Sequence, residues 1–168
     1  SGMTLTHEWD GVGMAATQSH AMRLERAPAV RMAYDGPLSI ISAGAGALVA
    51  TTFTAVILGV LDEAVATAKR QVRGKADQLR PYEQVEWTRA VNEHWLAGQA
   101  YEGSLRAMER DDPGALLAAL HAKQAVAELA ESVLSRLARV VGGGAYSRRS
   151  PFAHWYEDVR ALGFLRPP

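Results

Sequence analysis

From Gly36 through Leu61 the chain carries no charged side chain, and Asp62 closes the run. So long an uncharged stretch has two outlets: a segment spanning a bilayer, or the central helix of a bundle, apolar on every side. Ser39, Ser42, Thr51, Thr52 and Thr54, among many small residues, speak against the first, as does the lack of an aromatic belt or basic flank. The bundle reading follows. Asp62 to Val72 continues the run amphipathically, which predicts one helix over about 38–73.

Three more helices come from punctuation and period. Pro81 suits a first helical turn and Glu83 the positive end of its dipole. Val91, Trp95, Gly98, Tyr101, Leu105 and Met108 then recur at three- and four-residue spacing, predicting a helix over about 81–110. Asp112-Pro113 reads as cap and first position of the next helix. Its stripe runs through Leu116, Leu120, Ala127, Ala130, Val133, Leu137 and Val141 to Gly142-Gly143-Gly144, which ends it. Pro151 opens a last helix to about Leu165, with Trp155, Val159 and Leu162 on one face.

Residues 5–35 are glycine-punctuated and lack a helical period. Ala21 to Leu24 alternate weakly, as in a short strand that Pro28 closes. Ser1-Gly2 before Met3 reads as a tag scar. The expected fold is all-α: residues 1–35 hold the scar and a short β-hairpin remnant, and residues 36–168 form an antiparallel four-helix bundle.

Composition narrows the function. Lys+Arg and Asp+Glu both number 18, so no basic excess marks a nucleic-acid surface. With 48% hydrophobic and 21% charged residues, the chain can bury a core. No cysteine is present, which excludes thiolate chemistry and thiolate metal sites. A di-iron bundle needs Glu-x-x-His pairs, but Thr17, Val91, Ala118 and Pro151 precede His20, His94, His121 and His154 by three. No metal is expected. Glu83/Glu86 and Glu128/Glu131 read as solvated helix faces, and no Gly-x-Ser-x-Gly elbow marks a nucleophile. No secretory pattern opens the chain, so a cytoplasmic location is the expectation.

The motifs together resemble one family. Trp9-Asp10-Gly11-Val12-Gly13-Met14-Ala15-Ala16-Thr17-Gln18-Ser19-His20 is similar to the "W-x-x-x-G-M-R-x-T-x-S-H" segment that closes the β-domain of acyl-CoA dehydrogenases and related flavin monooxygenases. Leu58-Gly59 followed by Ala64 resembles the "L-G-x-A-x-x-A-L" of that family's central bundle helix, and Gln84 falls where the next helix carries a Gln. Val141 to Tyr146 is similar to its "Q-x-x-G-G-x-G-Y" turn, and Pro151 to Arg160 to its "P-x-x-R-x-x-R-D-A-R". The resemblance runs in register from Trp9 to Pro168; the family's amino-terminal helical domain and most of its β-domain have no counterpart in this sequence.

What the resemblance implies is an FAD-dependent oxidoreductase acting on CH–CH groups, whose bundle supplies the subunit interface and part of the FAD site. Partners would be further copies of the chain or a related flavoprotein subunit. Arg73, Arg139, Gly142 and Gly143 take the places from which a neighbouring subunit approaches the FAD adenine and pyrophosphate. Arginine suits a diphosphate clamp, and glycine lets backbone N–H groups reach phosphate. The family's base positions hold no carboxylate: Arg166 stands where the dehydrogenases place their Glu, and Val49 where some members place it on the central helix. Tyr101-Glu102-Gly103-Ser104 mimics the dehydrogenase Tyr-Glu-Gly-Thr, but in the second bundle helix. The resemblance thus admits a dehydrogenase subunit without its base, a part of a flavin monooxygenase, or a non-catalytic assembly module.

Overall fold

A computed structural model describes residues 2–30 and 38–164 of the chain. The order is β1 (Met3–His7), β2 (Ala21–Leu24), α1 (Leu38–Val72), α2 (Pro81–Glu109), α3 (Ala115–Val141) and α4 (Phe152–Phe164), with short 3₁₀ turns at Ala15–Thr17, Arg73–Gln78 and Gly143–Tyr146. This is the antiparallel four-helix bundle preceded by a hairpin.

The strands pair antiparallel, Met3 opposite Leu24 and Leu5 opposite Met22. Those four side chains share one face, and every residue of the ribbon is exposed. Gly2, at φ +99°, extends the pairing, its carbonyl accepting the Glu25 N–H at 2.8 Å.

The bundle core centres on α3, whose Val126, Ala130, Val133, Leu134 and Leu137 pack against Ile57, Leu61 and Ala64 of α1. α2 contributes a buried ridge of Glu83, Ala90, Ala97 and Ser104, seven residues apart in succession. Small side chains at that spacing let its backbone lie close to α3. The stripe expected from Val91 and Trp95 is therefore rotated off the core, and both are exposed, Trp95 to 62%. α1 also departs from expectation. Gly46–Gln78 is long and apolar enough to cross a membrane, yet only 33% of its apolar window is buried. Leu48 and Val56 face outward, so the helix has one core face rather than burial all round.

Local chemistry explains the boundaries. Pro81 occupies the first turn of α2, and Glu83 reaches back to accept the Arg80 N–H at 2.7 Å. Asp112 does not cap α3. Its Oδ1 accepts the Gly114 N–H at 2.7 Å, tightening the turn, and α3 starts at Ala115, two residues later than Pro113 suggested.

Candidate functional site

The up-down-up-down order places the end of α1, the start of α2, the end of α3 and the start of α4 at one end of the bundle. Arg73, Gln84, Arg139, Gly142 and Gly143 all fall there.

Arg73 follows α1 directly. With Lys69, Arg70, Leu79, Gln84 and Trp87 it lines a groove of about 760 Å³ between α1 and α2. The Gln84 amide donates to the Leu79 carbonyl at 2.9 Å, bracing the α1–α2 connection that carries Arg73. Arg70 is engaged by Glu63 at 2.7 Å, and this hydrogen bond, with that from Thr67, holds the Glu63 carboxyl below its ordinary value. Lys69 and Arg73 have no ion-pair partner among the described residues. Cations beside an apolar wall of Leu79 and Trp87 suit a phosphate attached to a flat ring. Sequence reading missed Lys69, Arg70 and Trp87; the signal was the basic last turn of α1.

Arg139 is held from the other side of α2. Its Nη1 donates to Glu86 Oε2 at 3.1 Å, while its side chain stays 60% exposed. Glu86 also receives Arg136 Nη1 at 3.1 Å, and Arg136 Nε reaches Glu93 at 2.9 Å. Arg136 is the half-buried knot of this cluster, its pKa raised chiefly by the hydrogen bond to Glu93. Glu86 is thus a bridge between helices, and Glu83 a buried cap whose carboxyl Arg80 pulls down to about 2. The solvated faces expected at both positions are corrected.

Gly142 ends α3 at φ +83°, ψ −159°, a backbone region open essentially to glycine alone. A Cβ built on Gly142, Gly143 or Gly144 would meet nothing within 4 Å, so the turn faces open space.

The base position on the central helix lies apart from this set. Val49 is 24 residues before Arg73 on one continuous helical path, roughly 36 Å along the axis. α4 runs back toward that far end, with Gly163 against Ala127. Arg166 lies outside the described residues. Glu102 is exposed on α2 and paired with Arg106 at 2.8 Å, a surface helix pair.

Residues 47–166 match the acyl-CoA dehydrogenase C-terminal domain family. The chain belongs to that family. In fold it is similar to a nitrososynthase from Micromonospora carbonacea var. africana, at 23% identity and TM-score 0.82, covering 99% of this chain and 46% of that one. XiaF from a Streptomyces species, solved with FADH2 and glycerol, gives 18% identity and TM-score 0.82 over 98% of this chain and 49% of that one. A dibenzothiophene monooxygenase from Paenibacillus sp. A11-2 gives 21% identity and TM-score 0.77 over 99% and 50%. The chain spans about half the length of these structures. No curated protein sequence matches it.

Proposed function

We propose that this chain is the helical-bundle part of an FAD-dependent, acyl-CoA dehydrogenase-like oxidoreductase, lacking the dehydrogenase base and contributing one end of its bundle to a flavin held largely by other parts of the assembly. The observation that carries the reading is that Arg73, Arg139, Gly142 and Gly143 all fall at the same end of the bundle, in a chain of this family. FAD supplies a two-electron acceptor when bound. This chain's residues would grip its ADP portion: Arg73, beside Lys69, neutralises diphosphate charge, Arg139 is aimed by Glu86, and the glycine turn leaves room for close backbone approach.

Two exposed surfaces fit a larger assembly. The hairpin's Met3, Leu5, Met22 and Leu24 form an apolar face that a wider sheet would cover, since an isolated two-stranded ribbon is marginal. The outward face of α1 and α2 would pair with further copies of the chain or a related flavoprotein subunit. The reading includes a cytoplasmic location and a domain boundary near residue 35.

Family dehydrogenation needs a carboxylate base, and this sequence offers Val49 and Arg166. A guanidinium stays charged and cannot act as a base. The same two positions favour a second reading, part of a flavin-dependent monooxygenase, as does the fold shared with a dibenzothiophene monooxygenase. The test is turnover of straight-chain acyl-CoA with an artificial electron acceptor after FAD is added, beside visible flavin absorbance and intact mass of the purified protein. Little retained flavin and no turnover are expected. Measurable dehydrogenation would overturn the missing-base reading and direct attention to Glu102.

A further inference from the structure

Among the described residues the buried polar side chains are Thr51, Thr54, Glu83, Ser104 and Lys123. All but the last are satisfied close by. The Thr51, Thr54 and Ser104 hydroxyls donate to the carbonyls of Ala47, Ala50 and Tyr101 at 2.9, 2.7 and 2.7 Å, and Glu83 is paired with Arg80 at 2.8 Å. Lys123 is the exception. It is 8% exposed, yet its ammonium has no hydrogen-bond or ion-pair partner among the described residues. No fully buried side-chain nitrogen there lacks a partner, so the stem is enclosed while Nζ reaches the surface.

The elements packed around Lys123 offer it no counter-charge. One turn away on α3 stand Ala119, Leu120, Val126 and Ala127, none of them acidic. α1 carries no charge from Gly36 through Leu61. On α4, Asp158 is taken by the Met14 N–H at 2.6 Å, and Glu157 lies 3.5 Å from Arg160. Arg136 turns to α2. Lys123, 13 residues earlier, points roughly 140° round the helix from it. An unpaired ammonium on a buried stem is costly, and burial lowers its pKa accordingly. That cost falls when an anion comes from outside these helices.

Register fixes where the amine stands. α1 and α3 run in the same direction, and a Cβ on Gly46 would stand 3.2 Å from Leu116. Seven residues on, Lys123 is level with Phe53, one turn past Val49. One turn farther along α3, Ala127 meets Gly163 in the last turn of α4. Arg139 is 16 residues along the same helix, roughly 24 Å away. The flanking cations on α2 and α4, Arg106 and Arg160, are held by Glu102 and Glu157. A single free ammonium suits a single negative charge, whereas a phosphate dianion asks for a guanidinium fork or a second cation. Val49, Phe53 and Leu120 at this level suit a short apolar body beside that charge.

We propose that Lys123 anchors the carboxylate of a small organic acid at the Val49 end of the bundle, a ligand site separate from the grip on ADP. The chain has three lysines, Lys69, Lys75 and Lys123, so isotope labelling of lysine alone gives three side-chain signals. Butyrate titrated into the full chain should move the Lys123 signal saturably and leave the other two in place. Butyramide, of the same shape without the charge, should bind about tenfold or more weakly, the worth of one charge-assisted bond. Lys123→Met keeps an unbranched stem. It should abolish butyrate binding, followed by backbone amide shifts, with the melting temperature retained or raised. Arg73→Ala should leave butyrate binding unchanged, which separates this test from the ADP reading. No saturable change at Lys123, movement of Lys69 or Lys75 instead, equal binding of both probes, or binding that survives Lys123→Met would each overturn the proposal.

Discussion

The Met14 N–H donates to a carboxylate oxygen of Asp158 across 144 residues of chain, at 2.6 Å. This bond joins two stretches that are separately weak as motifs, the Gly13-Met14 turn and the Asp158-Val159-Arg160 face of α4. Met14 itself sits at φ +57°, in the left-handed region that a non-glycine residue adopts at a cost. The bond offsets that cost and fixes the connection between β1 and β2 to the bundle.

Asp158→Ala should free that segment while the bundle stays folded. Hydrogen exchange at the Met14 amide should accelerate, and limited proteolysis should cut between β1 and β2. The local loss should be about 1.5–3 kcal/mol, typical of a bond to a charged acceptor. Asp158→Asn, which keeps an acceptor, should retain part of the protection.

Much of the bundle was legible because its boundaries are written locally. Pro81 and Glu83 sit within one turn of each other, and three glycines follow Val141, so helix limits fell within a residue or two. α3 started late because Asp112 closed a turn onto Gly114 instead of capping the helix, a choice between two short hydrogen bonds that composition does not decide. The core face of α2 was misjudged for a different reason. Bulk suggested Val91 and Trp95 as inward, whereas close helix approach selected Ala90, Ala97 and Ser104. Of the candidate site, Arg73 and the glycine turn were legible only through family resemblance. The Glu86–Arg136–Glu93 knot joins residues 43 and 50 apart, beyond any local pattern.

Arg136→Leu should be the most disruptive surface-distant change in this knot. It leaves Glu86 and Glu93, 12% and 19% exposed at their side chains, without their shared cation. A loss of about 2–4 kcal/mol by chemical denaturation is expected, at or below the range for breaking a buried pair. Arg139→Ala should cost less than about 1 kcal/mol, since that side chain is largely solvated.

Glu83 sets an acid dependence. Its carboxyl is held at about 2 against an ordinary value of 4.5, chiefly by the Arg80 side chain and then by the Arg80 N–H. The cap therefore contributes fully above pH 4.5 and is lost as pH falls through about 2. Glu83→Gln should lower the melting temperature at neutral pH, and the gap from wild type should close between those two values.

Lys123 works in the opposite direction. It is 8% exposed on α3, and burial lowers its pKa. The unfolded chain then binds the proton more readily between the lowered value and the ordinary 10.5, so stability should rise with pH across that window. Lys123→Met should abolish the rise and increase the melting temperature at neutral pH, by about 2–4 °C for each kcal/mol gained.

The outer faces of α1 and α2 should drive self-association. Val56 is 50% exposed and Trp95 62%, on a face whose Gly59 and Gly98 lack side chains. Light scattering at rising concentration should show species larger than 18.1 kDa. The double change Val56→Glu and Trp95→Glu should restore the monomer mass.

The central claim is that the bundle end carrying Arg73, Arg139, Gly142 and Gly143 grips the ADP portion of FAD. Titration of ADP into the isotope-labelled chain, followed by backbone amide shifts, tests it most directly. The account predicts saturable shifts at Arg73, Gln84, Arg139, Gly142 and Gly143, weakened about tenfold or more by Arg73→Ala, the worth of one charge-assisted contact. Absence of saturable shifts there, or ADP binding untouched by Arg73→Ala, would contradict it.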